Sequence, residues 1–147
     1  MIARFAFMAA LTVGASGAMA QAPLEKPLML KRFVFDGKLA DLQGAFSRVV
    51  GLKKGGDGFV SVRAAPSTKA AERDRLTLGR LVWTMPVEKG SSFVAVIYAE
   101  GSVASDDMEK QCNLPNPPPA SFPASQIYSG PCKHGWVHKR FVEVLAD

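Results

Sequence analysis

Hydrophobic and polar residues alternate along this chain in short runs rather than at helical spacing, and the runs predict strands. In Phe59-Val60-Ser61-Val62-Arg63 the two valines share one face and the other three residues take the opposite one. Residues 93–98 (Phe-Val-Ala-Val-Ile-Tyr) are the most strand-like stretch, and 48–52 and 81–85 are shorter apolar runs. Residues 135–138 and 141–145 are two further short strands joined by Lys139-Arg140. Turn chemistry separates these runs, most plainly the Lys-Lys-Gly-Gly-Asp-Gly of 53–58 and the polar stretch 86–91. Residues 64–77 read as a long polar excursion, and 101–129 as a long connection with prolines at 115, 117, 118, 119 and 123. No internal repeat is visible. Five or six short strands with polar turns predict an all-β domain, a small barrel.

Ahead of these strands, residues 21–31 carry Pro23 and Pro27 and little periodicity, which predicts an extended segment. Residues 32–35 and 38–40 flank Asp36-Gly37, a tight-turn pair, and can form a hairpin. A helix over 38–46, with Leu39, Leu42 and Phe46 on one face, is the rival, and Gly44 weakens it. The pattern leaves both open.

The first twenty residues are a different kind of segment. Arg4 supplies a thin positive start, 5–13 is apolar apart from Thr12, and Ala18-Met19-Ala20 places small residues where a signal peptidase reads them. Cleavage before Gln21 is expected, with delivery to the periplasm or the exterior. The run is short for a spanning helix, which needs about 20 apolar residues, so no membrane anchor is expected after cleavage. Three regions follow: 1–20 as signal peptide, 21–46 as N-terminal extension and 47–147 as the β domain, with 101–131 as an insert.

Charge and cysteine content refine this picture. With 147 residues the chain is one domain, and 48% hydrophobic residues against 21% charged exclude a disordered tail as the whole protein. The net charge is +5, falling to +4 once Arg4 leaves with the leader. No block of five or six Lys/Arg exists to act as a nucleic-acid arm. In an oxidising compartment Cys112 and Cys132 are expected to pair, closing a loop of about 20 residues worth on the order of 3 kcal/mol. A zinc site from Cys132, His134 and His138 is disfavoured, because an offset of four along a strand separates the histidines by about 13 Å.

Two motifs in order carry a resemblance. The first is Val60-Ser61-Val62-Arg63-Ala64-Ala65-Pro66-Ser67-Thr68, followed by Leu76 and by Gly79 opening the next strand. The second is Gly135-Trp136-Val137-His138, then a short turn and Phe141-Val142-Glu143-Val144-Leu145. Together they resemble the bacterial SH3-like domain, an exported β-barrel module, over about residues 48–145. The sequence departs from that pattern at Ala64-Ala65, where the family has Ser-Gly, at Glu72 and Arg73, where it has apolar residues, and in the long insert. The resemblance implies an SH3-like barrel in which Arg63, Pro66, Gly79 and Gly135 are structural, and binding of peptidoglycan or of an envelope protein.

Candidate chemistry is sparse. No Gly-x-Ser-x-Gly, His-Glu-x-x-His or phosphate-cradling glycine loop occurs, and Gly55-Gly56-Asp57-Gly58 joins strands without opening a helix. Asp106, Asp107 and Glu109 read as a solvated turn. A non-catalytic role is therefore expected, with no cofactor and no metal. Small barrels bind through exposed aromatics and flanking loops, so Tyr98, Phe122, Tyr128 and Trp136 are the candidate ligand residues. Tyr98 and Tyr128 are read as the surface pair, and Lys139 and Arg140 as cations suited to an anionic wall. Peptidoglycan is the first expected ligand. The alternative is a protein partner, as an assembly factor or an enzyme inhibitor, bound through the 101–131 loop that the disulfide and prolines pre-organise; a loop that only wraps the barrel and covers an exposed edge is the equal rival reading of that segment.

Overall fold

A computed structural model describes residues 21–145. The signal-peptide reading of 1–20 lies outside the described residues. The strands form two antiparallel sheets. The smaller comprises β1 (Met29–Phe35), β2 (Lys38–Leu42) and β8 (Ser125–Ile127), in the order β2-β1-β8. The larger has seven strands: β3 (Ala45–Val49), β4 (Phe59–Arg63), β5 (Glu72–Thr77), β6 (Leu81–Thr84), β7 (Phe93–Tyr98), β9 (Lys133–His138) and β10 (Val142–Val144). Their order is β10-β3-β6-β7-β9-β4-β5. One short helix, α1 (Ser105–Gln111), lies in the 101–131 insert, and a 3-10 turn (Lys139–Phe141) joins β9 to β10. No helix among the described residues is long and apolar enough to cross a membrane.

The all-β class holds, but the expected closed barrel does not. β10 and β5 are the two edges of the large sheet, and no ladder joins them. β5 explains one open edge, since Glu72 and Arg75 expose charge along it while Arg73 and Asp74 are half-buried beside them. The same charges hid it in the sequence, where it read as part of a polar excursion. Its strand geometry comes from pairing with β4, from Phe59↔Thr77 to Arg63↔Glu72.

The hairpin prevails over the helix at 38–46. Asp36 and Gly37 both take positive φ (50° and 69°), the backbone of a two-residue turn whose twist matches its strands, and Phe35 pairs with Lys38. β3 then starts at Ala45, slightly ahead of the apolar run read at 48–52.

The unbroken apolarity of β7 has a direct cause: both of its faces are covered. Val94, Val96 and Tyr98 enter a cluster with Val49, Val60, Val62, Val82 and Val137 on one face. Phe93 and Ile97 face the other way, into a cluster with Trp83, Trp136, Leu28, Leu30, Met108, Leu114, Phe122 and Tyr128. The extension and the insert supply most of that second layer. Cys112 and Cys132 are disulfide-bonded, with their Cα atoms 5.0 Å apart.

Candidate functional site

The four aromatics singled out as ligand candidates are all buried, and for the two tyrosines this corrects the expectation of surface rings. Tyr98 is 1% exposed. Its hydroxyl donates to the Asp74 carboxylate (3.1 Å) and accepts from the Gln21 amide (3.3 Å), so the ring enters the core with its polar end satisfied. Burial first, and then the Asp74 charge, push this hydroxyl above the ordinary phenol range. Tyr128 donates to the carbonyl of Cys112 (2.8 Å) and accepts from the Cys132 amide (3.2 Å), clamping both ends of the disulfide loop. Burial pushes it up to about 12. Phe122 shares a buried cluster with Leu30 and Leu42 of the hairpin strands, and Trp136 packs in the layer that the insert covers.

Arg63, Pro66, Gly79 and Gly135 sit as follows. Arg63 donates to the Ala70 carbonyl (2.9 Å) and so ties down the loop between β4 and β5. Gly79 has φ of 79°, in the left-handed region that glycine enters without strain. At Gly135 a Cβ would meet Val62 Cγ1 at 2.6 Å and the Arg63 carbonyl oxygen at 2.7 Å, so β9 lies this close to its neighbour β4 only because that side chain is missing. Pro66 lines a cleft described below.

Of the candidate binding residues, Lys139 and Arg140 are the exposed ones, on the 3-10 turn. Arg140 lies over the Phe141 ring, 4.5 Å from its centroid. His138 accepts from the Arg140 amide (3.3 Å). Slight desolvation, with the charges of Arg140 and Lys139, holds its imidazole below the usual value. His134 meets the Cys132 carbonyl through Nδ1 (2.9 Å) and packs edge-on against Tyr128. Among the described residues no group of three or more His, Cys, Asp or Glu is placed to hold a metal ion.

The insert wraps rather than projects. Met108, Cys112, Leu114, Phe122 and Tyr128 all turn inward, and β8 pairs with β1 from Met29↔Ile127 to Lys31↔Ser125. Asp106 and Asp107, read as a solvated turn, begin α1, where their charge suits the first turn.

Of the several concavities at the surface, two have mainly apolar linings. A cleft of about 170 Å³ has Trp136 and Phe93 in its wall beside Pro66, and the Lys26–Glu88 ion pair (3.0 Å) stands at its edge. A wider groove of about 340 Å³ opens between the hairpin and the β10 side of the large sheet. Its rim carries Phe33, Val87 and Val144, which are 50%, 44% and 60% exposed, and Lys139 stands beside them. Sequence reasoning missed this groove. The available signal was Phe33-Val34-Phe35, three apolar residues in a row where a half-buried strand should alternate.

Comparison with protein-family models, with curated proteins and with solved structures found no match for this chain.

Proposed function

We propose that this chain is an exported, non-catalytic binding module of the bacterial cell envelope, cleaved before Gln21 and built on an SH3-like plan, and that its partner is a protein. Support for the plan comes from the order β10-β3-β6-β7-β9 and from the 3-10 turn between Gly135-Trp136-Val137-His138 and the last strand. The disulfide suits an oxidising compartment.

One observation carries the choice of partner. Phe33, Val87 and Val144 stand exposed around one apolar groove, a grouping of large apolar side chains that marks an interaction surface rather than scattered exposure. The insert, by contrast, spends its apolar residues on the core, so the binding surface moves from the 101–131 loop to this groove.

Peptidoglycan is the second reading. It is favoured by the cleft beside Trp136, with Lys26 and Lys31 in its lining, and by the exposed Lys139 and Arg140. It loses the aromatic platform that would stack on sugars, because Tyr98, Phe122 and Tyr128 face inward. Co-sedimentation of the oxidised mature protein with purified peptidoglycan across a salt series separates the two. The protein-partner reading expects no binding, or binding that disappears with modest salt as a +4 surface charge would. Wall binding that survives physiological salt would replace it.

A further inference from the structure

The groove is bordered by a strand edge with free hydrogen-bonding groups. β10 pairs with β3 on one side only, with Val142↔Val49, Glu143↔Arg48 and Val144↔Ser47 in register. The flanking bonds fix which groups point where. Val50 N–H donates to the Phe141 carbonyl (2.9 Å), and Leu145 N–H donates to the Phe46 carbonyl (2.9 Å). Residues 141, 143 and 145 therefore face β3, and the backbone groups of Val142 and Val144 face outward. The N–H of Val142 is already bonded to the Lys139 carbonyl in the 3-10 turn. The Val142 carbonyl and both backbone groups of Val144 have no partner among the described residues.

The side chains of Val142 and Val144 line the groove whose far wall is Phe33. Free strand edge and apolar groove thus adjoin, and a single extended segment can use both. Its backbone would extend the sheet while alternate side chains enter the groove. Lys139 lies at the same groove and makes no ion pair among the described residues, so a carboxylate on the incoming segment is the complementary charge. A second copy of this chain fits poorly. An antiparallel β10–β10 pair using the free groups of both Val142 and Val144 sets Glu143 opposite Glu143 of the copy, and like charges directly opposite repel.

We infer that β10 accepts an extended segment of a partner protein by strand addition, taking alternate apolar residues into the groove and an acidic residue against Lys139. This rests on the protein-partner reading and names its mode. The test selects a displayed library of random linear peptides on the oxidised protein, then measures the enriched peptides against variants. The expected peptides alternate apolar residues and carry Asp or Glu. Phe33→Ser and Val144→Pro each weaken binding about tenfold, the proline because it removes the one free N–H. Val144→Pro should still fold, since that N–H takes no part in pairing with β3 and proline is tolerated at sheet edges. In the wild type, peptide binding should slow hydrogen exchange at the Val144 amide, a readout that does not depend on any variant folding.

If Phe33→Ser weakens binding while Val144→Pro and the Val144 amide show no effect, strand addition is wrong and the protein-partner reading stands. Enriched peptides indifferent to both variants, or no enrichment at all, overturn both. A dimer that Val144→Pro dissolves would make the occupant a second copy and overturn the inference.

Discussion

Arg32 donates from Nη1 to the carbonyl oxygen of Phe122, 90 residues along the chain, at 3.1 Å. The guanidinium is buried, and every acceptor it has is a backbone carbonyl: Ala40 (2.6 Å), Leu39 (3.2 Å) and Pro119 (3.4 Å) complete the set. One cation thereby ties the irregular part of β2 to the insert, where neither run of backbone could satisfy itself through a ladder. Ala124 and Arg32 strengthen the same junction through a backbone bond of 2.9 Å.

Replacing Arg32 with Met should cost about 3 kcal/mol, because it strands buried carbonyls as well as deleting charge-assisted bonds. Arg32→Lys should recover only part of this, since an ammonium cannot span the carbonyls that the planar fork reaches. Urea denaturation measures both losses. A Met variant within experimental error of wild type would show that water can substitute for the guanidinium.

Gly135→Ala should destabilise by about 1–3 kcal/mol, the range for forcing a methyl into a packed core. The neighbours it would strike are Val62 Cγ1 and the Arg63 carbonyl, at 2.6 and 2.7 Å. Of these, only the valine can be trimmed. A double-mutant cycle with Val62→Ala should therefore show favourable coupling without restoring the wild-type melting temperature. Additive losses would mean that the backbone carbonyl alone sets the limit.

Stability should fall on both sides of neutral pH. Tyr98 and Tyr128 are the only tyrosines, and their ordinary ionisation lies at 10.0. Both are raised in the fold, chiefly by burial, so their contribution is complete below about pH 10. It declines as the unfolded chain begins to release protons that the folded chain keeps, through about 12 for Tyr128. His134 works in the opposite sense. Burial lowers it from 6.5, which favours the neutral ring in the fold, and its contribution declines as pH falls below that value. Melting temperatures across pH give the two limbs. Spectrophotometric titration of phenolate should show no ionised tyrosine near pH 10 in folded protein; a normal titration there would contradict the burial of both rings.

Much of the fold was legible from local pattern. Asp36-Gly37 encodes a turn in two residues, Val60 and Val62 alternate with their neighbours, and both motif segments place glycine where the backbone needs it. Cys112 and Cys132 needed only the expectation of an oxidising compartment. β5 was not legible, because Glu72 to Arg75 form a strand through the partner that β4 offers rather than through any preference of their own.

Burial of the candidate aromatics was decided elsewhere. Tyr98 could enter the core because Asp74 and Gln21 came to meet its hydroxyl, and Tyr128 because both ends of the disulfide loop did. No window of sequence contains those partners. The strand pattern, the turns and the cysteine pair are local or compositional, so the sequence alone determined them. Which face of each strand is covered, and so which apolar residues remain outside at Phe33, Val87 and Val144, depends on how the extension and insert fold back across the large sheet. Only the tertiary structure decided that, because a side chain is exposed or buried by what lies opposite it, however distant along the chain.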